Sequence, residues 1–320
     1  METKSTNPIL PGTWADPFVL QHGDSYYLYP TKDCPHWRHP TLYAFQSKDL
    51  LNWRGPTGIL DLANIAWADK FAYAPTAAYW QGTFYLYFCA DNQIGLAVSD
   101  EPLGRFADIL QRPLIGRDAF GCQSIDPDLF IDSDGQPYLL WGQGKLWIAP
   151  LREDMHTFAA EPVCLSDQLY RQKGLDPAAY ERDYRARDND PYAFDLRLYN
   201  EGAHLQKIAG RYMLSWSVYD ARDPRYQIHY AWSENVLGPY RMPEHNILLA
   251  PTETMRGTGH ASIAKKETDY YLVYHRHGSV VPERDWHRGM EWNGIDGTDR
   301  QVCCDRIKFR DGEPVQIIPE

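Results

Sequence analysis

Three carboxylic acids recur at matching places in this chain, and strand propensity does not explain them. Asp16 stands in Trp14-Ala15-Asp16-Pro17, Asp126 in Ile125-Asp126-Pro127-Asp128, and Glu201 in Glu201-Gly202-Ala203-His204, each at the head of an apolar run. Asp and Glu are depleted in strands, and a buried acid is costly unless it is paired or functional. Acids with perturbed pKa values gather at sites of chemistry. Glycoside hydrolysis calls for this set: one carboxylate activates or replaces water at the anomeric carbon, and a protonated one gives its proton to the leaving oxygen. A third acid nearby raises the pKa of the proton donor, because like charges disfavour ionisation. The sequence carries no nucleophile elbow, HExxH pair or Walker-type loop, so other hydrolytic chemistries lack their signatures.

Positioning these acids falls to a repeat. Five segments share a short polar head, an apolar strand, a turn with Gly or charge, and an aromatic-rich second strand. Their heads are Asp16, Ala74-Pro75, Asp126, Glu201 and His260, and their second strands begin at Tyr26, Phe84, Tyr138, Tyr212 and Tyr270. The spacing from head to first aromatic is 10, 10, 12, 11 and 10 residues. Third strands follow in most units, as in Ile94-Gly95-Leu96-Ala97-Val98 and Ile228-His229-Tyr230-Ala231-Trp232. With three or four short strands per unit and almost no helical periodicity, the chain predicts an all-β fold, a five-bladed β-propeller. Residues 1–320 then form a single domain. The innermost strands of a propeller line its channel, so the five heads should converge at one end of the axis. One stretch breaks the pattern, a charged excursion at about 165–200 between the third and fourth units. It is expected to hold some helix, and to be a solvated loop, a wall over the active face or an oligomer contact.

Composition narrows the partners. The net charge is −11 and the pI about 5.5; a polyanion would be repelled, which argues against nucleic acid and anionic membranes. No run approaches the roughly 18 apolar residues of a membrane span, and the first residues hold no apolar signal segment. Six cysteines show no disulfide framework or CxxC spacing, which reads as reduced, packed thiols in a cytoplasmic protein. Cys303 and Cys304 are adjacent and must face opposite sides of a strand. Cys34-Pro35-His36-Trp37-Arg38-His39 lacks the second ligand pair of a zinc site,. Aromatic residues make up 14% of the chain, which suits strands first and sugar stacking second.

The motifs, taken in order, resemble glycoside hydrolase family 43: Asn7-Pro8-Ile9, Ala15-Asp16-Pro17, Tyr73-Ala74-Pro75, Ser124-Ile125-Asp126-Pro127, Glu201-Gly202 and Gly257-Thr258-Gly259-His260. The resemblance spans nearly the whole chain. It implies a propeller that hydrolyses β-D-xylosides or α-L-arabinofuranosides with inversion, an exo-acting enzyme on small oligosaccharides of hemicellulose or arabinan. It also implies Asp16 as general base, Glu201 as general acid, and Asp126 as the group that tunes the acid's pKa. The same resemblance implies that His260 contributes to a calcium site in the channel; a core or substrate-orienting His is the competing reading, because calcium prefers oxygen ligands. Three departures concern the subfamily and therefore the sugar: Ala203 stands where a Pro is usual after Glu-Gly, and neither the 165–200 excursion nor the Cys303-Cys304-Asp305-Arg306 strand is a general feature.

Trp14, Trp67 and Phe71, with Ala74 at the second head, are the expected sugar-facing residues, and Arg276 in Tyr274-His275-Arg276-His277 is expected to reach a sugar hydroxyl. Arg222-Asp223-Pro224 is similar to an element of invertase-like hydrolases but follows Glu201, against their order. A retaining fructosidase of that kind needs an Asn-Asp-Pro-Asn-Gly context, which the sequence around Asp16 does not supply. A non-catalytic, sugar- or protein-binding propeller has no need of three channel acids.

Overall fold

Alternating apolar runs separated by short polar turns pair with their nearest neighbours, and this chain does so five times over. The computed structural model describes residues 7–34, 37–178, 198–278 and 299–319. The first sheet holds β1 (Trp14–His22), β2 (Ser25–Lys32), β3 (Thr41–Ser47) and β4 (Trp53–Asp61), in that order. The second holds β5 (Tyr73–Trp80), β6 (Thr83–Ala90), β7 (Gln93–Ser99) and β8 (Ala107–Asp108). The third holds β9 (Asp128–Ile131), β10 (Pro137–Trp141), β11 (Trp147–Pro150) and β12 (Val163–Cys164). The fourth holds β13 (Glu201–Ile208), β14 (Arg211–Val218), β15 (Gln227–Ser233) and β16 (Ile247–Leu249). The fifth has β17 (Gly259–Lys266), β18 (Asp269–His277) and β19 (Arg300–Ile307). All neighbours within a sheet are antiparallel.

The inner strands β1, β5, β9, β13 and β17 touch in sequence, and β17 returns to β1, closing a five-bladed ring. Closure is fastened from both ends of the chain. Ile9 N–H donates to Val302 O at 2.9 Å and Cys304 N–H to Asn7 Oδ1 at 2.8 Å, so the N-terminal segment borders the outer strand of blade five. After the short hairpin β20 (Phe309–Arg310) and β21 (Glu313–Pro314), Ile317 N–H donates to Leu248 O at 2.8 Å on blade four.

Aromatic side chains fill the wedges between blades. Tyr29, Tyr87, Trp141, Trp216 and Tyr274, one from the second strand of each blade, are among the largest fully buried side chains. Much of the aromatic excess is therefore core. Cys303 joins the apolar cluster shared with blade four and Cys304 the one shared with blade one, on opposite faces of β19 as the alternation requires. The six cysteines form no disulfide with one another.

The excursion after β12 opens with the one α-helix longer than a turn among the described residues, α1 (Leu165–Gln172). Leu165, Leu169 and Tyr170 pack into the apolar cluster between blades three and four. Gln168 and Gln172, one turn apart, each bond both a backbone C=O and a backbone N–H of residues 237–242. This part is a strut between blades. The charged run Glu181–Asp188, and with it the expected wall over the active face, lies outside the described residues.

Candidate active site

At the head of the inner strands the backbone is strained in a repeating way. Asp16, Ala74, Asp126, Gly202 and His260 all have positive φ: 47°, 42°, 55°, 59° and 42°. In blades one, two, four and five the register to the second strand slips just there. Such bulges and left-handed residues cost about 1–3 kcal/mol each when not Gly, and they gather at functional sites. The fourth equivalent head is thus Gly202, not Glu201 as the sequence alignment had it. Counted from Gly202 to Tyr212 the spacing is 10, matching its neighbours. Glu201 occupies the preceding position, shared with Ala15, Tyr73 and Gly259.

Side chains from the adjacent blade satisfy the backbone N–H of these heads. Asp16 N–H donates to His275 Nδ1 (3.2 Å), Ala74 to Thr31 Oγ1 (2.7 Å), Asp126 to Cys89 Sγ (3.1 Å) and His260 to Ser217 Oγ (2.8 Å). The four acceptors sit at one place in their blades, opposite Gly259, Ala15, Tyr73 and Glu201. In blade three the matching residue is Gly142, whose N–H bonds Ile125 O at 2.8 Å. With φ at 117° and Lys145 O against the place of a Cβ, only Gly fits there,. The N–H of Gly202 therefore has no such side chain and donates instead to Asp126 Oδ2 at 3.0 Å. This bond fixes one acid beside the neighbour of another.

Asp16 lies in a cationic corner. Its Oδ1 accepts from Arg300 Nη1 at 2.8 Å, with His275 Nδ1 at 3.2 Å and His260 Nδ1 at 3.4 Å. The other arm of Arg300 holds Asp33: Nη2 lies 2.7 Å from Oδ1, and Nε 3.1 and 3.2 Å from the two oxygens. Asp16, Asp33 and Arg300 are all buried. Burial works to raise the Asp16 carboxyl, but the Arg300 charge outweighs it and holds the group well below the usual carboxylate range. Burial pushes His275 down to about 3, so its ring is neutral near pH 7.

Asp126 has the opposite environment. Burial pushes its carboxyl well up, and the Glu201 and Asp16 charges push the same way. Its Oδ2 lies 3.9 Å from His260 Nδ1, the atom that also faces Asp16. Glu201 accepts at Oε1 from Tyr226 OH at 2.8 Å and at Oε2 from Gln143 Nε2. The Tyr226 ring stacks on His275 at 13° with centroids 5.6 Å apart. It does so over Gly259, where any Cβ would enter the ring. Gly259→Ala is therefore expected to push Tyr226 off Glu201 and lower kcat by about tenfold or more, as lost positioning does. Near-unchanged kcat in a folded Gly259→Ala protein would refute this role for the close approach.

Several expected contacts are elsewhere. Trp14 is 5% exposed, its Nε1 bonds Pro11 O at 3.0 Å, and the edges of Tyr43 and Phe45 meet it. It is core packing, not a stacking surface. Trp67 donates Nε1 to Asp108 Oδ2 at 2.9 Å and stacks on Phe88 within blade two. Arg276 follows His275 on the strand and so lies on its opposite face, held at 3.2–3.3 Å by Gln301 Oε1. Ala74 is buried as one of the strained heads. Phe71 is half-buried, at φ 62°, in the segment leading into β5, with Lys70 over its ring. Pro35 and His36 lie outside the described residues.

Arg300, Asp33, His275, Tyr226 and Gln143 were not singled out from sequence. The Arg222-Asp223-Pro224 stretch, set apart there, belongs to the loop that delivers Tyr226 to Glu201; Asp220 and Asp223 brace its arginines. The described side chains around His260 do not by themselves supply a calcium ligand set. The His260 Nδ1 faces two carboxylates, Asp16 is taken by Arg300, and among the described residues no group of three or more His, Cys, Asp or Glu is arranged to hold a metal ion. No step below is routed through one.

Comparison with known proteins agrees with this architecture. The profile of Glycosyl hydrolases family 43 matches residues 5–314. The beta-D-galactofuranosidase xynD of Aspergillus niger is 29% identical over 99% of this chain and 85% of its own length. The xylosidase/arabinosidase 43A of Humicola insolens is 29% identical over 68% of this chain and 69% of its own. A thermostable family-43 glycoside hydrolase of known structure aligns with a TM-score of 0.74 at 25% identity, covering 98% of this chain and 95% of that one. The GH43_1 enzyme from Xanthomonas citri complexed with xylose aligns with a TM-score of 0.73 at 24% identity, over 98% and 94%. A five-bladed ring that carries three acids at or next to its inner strand heads, matched by the family along nearly all its length, belongs to glycosyl hydrolase family 43 and is a glycosidase.

Proposed function

We propose that the protein is an exo-acting, inverting glycosidase that releases terminal α-L-arabinofuranose or β-D-xylose from hemicellulose or arabinan oligosaccharides. The observation that carries the mechanism is the split between its acids: the Arg300 charge keeps Asp16 ionised, while burial and the neighbouring Glu201 charge push Asp126 up, so that the Asp126–Glu201 pair retains a proton. Environments that drive acids apart assign base and acid. Asp16 takes a proton from water as the water attacks the anomeric carbon, and Glu201 gives its proton to the departing oxygen. Asp126 accepts from the Gly202 N–H, and repulsion between the two carboxylates keeps one proton on the pair, which Glu201 delivers,. The two protons move on opposite sides of the sugar, so the product anomer is inverted.

The sugar assignment draws on the relatives, whose names include xylosidase/arabinosidase and arabinoxylan arabinofuranohydrolase. A second reading, terminal galactofuranose, is favoured by the A. niger galactofuranosidase, which aligns with 99% of this chain. A panel of p-nitrophenyl α-L-arabinofuranoside, β-D-xyloside and β-D-galactofuranoside separates them by kcat/KM. NMR of the first-formed sugar is expected to show the inverted anomer; a retained anomer would overturn the scheme and favour a covalent glycosyl-enzyme.

A further inference from the structure

Glu201 is held on both oxygens, and one of its partners has an idle half. Tyr226 donates to Oε1 at 2.8 Å, and burial holds its phenol well above the usual pKa, so it keeps its proton. Gln143 donates through Nε2 to Oε2 and is 6% exposed. Its Oε1 is buried and has no hydrogen-bond partner. A buried carbonyl left unpaired is costly and calls for an explanation. The backbone that carries the amide is tied down: Gln143 N–H bonds Gln123 O at 3.0 Å, and the N–H of the preceding Gly142 bonds Ile125 O at 2.8 Å.

We propose that Gln143 is a positioning residue that serves both protonation states of Glu201 by turning its amide over. The inference rests on Glu201 being the acid. With Glu201 ionised, Nε2 donates to Oε2, the arrangement seen here. With Glu201 protonated, Oε1 is the acceptor for the proton on Oε2, and the idle carbonyl is used. When substrate binds, the leaving oxygen replaces Oε1 as acceptor; the proton passes to it as the C–O bond breaks, and the amide turns so that Nε2 meets the new carboxylate. The water proton goes to Asp16 and then to solvent, and solvent reprotonates Glu201, so the cycle balances. A fixed donor would stabilise only the spent acid, and a fixed acceptor only the loaded one. An amide supplies both from one position.

The sign of its removal follows. A hydrogen bond to a carboxylate is stronger than one between neutral groups, so losing the amide hurts ionised Glu201 more and raises its pKa. In Gln143→Met the basic limb of the kcat/KM profile, set by loss of the acid's proton, should move up by about 0.5–1 pH unit. On an oligosaccharide kcat should fall by about tenfold, while a p-nitrophenyl glycoside, which needs little proton donation, should change by about twofold or less. Gln143→Glu keeps the size, adds a like charge and should move the limb further up; it reads the same quantity if the Met variant does not fold. A basic limb unmoved in both variants, or equal losses on activated and unactivated substrates, overturns the proposal. Glu201→Gln separates this from the reading beneath it. If an activated aryl glycoside does not restore that variant, the acid assignment itself is wrong; if it does and the Gln143 limb stays put, only the role of Gln143 is wrong.

Discussion

Glu201→Gln is expected to lower kcat on a xylo- or arabino-oligosaccharide by about 10²–10⁴-fold, the usual worth of a general acid. The same variant should keep most of its activity on a p-nitrophenyl glycoside, whose leaving group departs without a proton. Asp16→Asn should lose a similar factor on both substrates, because neither leaving group supplies the missing base. The asymmetry is the informative part. It follows from where the charges lie: Asp16 is paired directly with Arg300, while Glu201 accepts from Tyr226 and Gln143 and shares its surroundings with the carboxyl of Asp126 as well as the charge of Arg222. Steady-state kinetics on the two substrates checks it. Equal rescue of both variants, or of neither, would remove the distinction between acid and base.

Arg300→Met should be the most destabilising of the substitutions considered. The guanidinium is 5% exposed and bridges Asp16 and Asp33. Its loss leaves two buried carboxylates without their cation, and breaking a buried pair in this way costs about 3–5 kcal/mol. Arg300→Lys should recover little, because an ammonium cannot present two edges to two carboxylates. The pH dependence has a definite sign. Asp16 is held below its unfolded value of 3.8, so its contribution to stability is full above that pH and is lost as the pH falls through the lower folded value,. Without Arg300 that contribution shrinks, and the base ionises at higher pH. The acidic limb of kcat/KM should move up by about 1–3 pH units, the range by which a neighbouring opposite charge shifts a carboxyl. Thermal denaturation from pH 7 down to well below 3.8 and a pH–rate profile test the two halves,. A limb that stays in place in a folded Arg300→Met protein would show that Arg300 does not set the ionisation of Asp16.

Several of these groups were visible in the linear chain for a physical reason. Asp16, Asp126 and Glu201 are acids in strand-like surroundings, and composition alone marks them as out of place. The hairpins were visible too, since each joins neighbours a few residues apart. His275 and Arg276 show the limit. The sequence drew attention to Arg276, but the residue that reaches Asp16 is His275, its neighbour on the other face of β18. In a sheet with one wet face, alternation would have told them apart. Here Leu272 and Tyr274 pack toward one neighbouring blade and Val273 toward the other, so both faces are buried and the pattern of apolar residues carries no direction.

The fourth head shows the same limit in the backbone. Counting along the chain placed Glu201 beside Asp16 and Asp126, one residue short of the bulge at Gly202. That single step matters, because successive residues of a strand point to opposite faces. By itself the sequence determined the five repeats, the propeller and the three acids, because these depend on local pairing and on residue types. Tertiary structure alone decided the environment of each acid. Arg300 reaches Asp16 across 284 positions and Asp33 across 267, and Gln143 reaches Glu201 across 58. Ring closure sets those distances, and the charges it brings together give the carboxylates opposite surroundings, which hold Asp16 down and push Asp126 up.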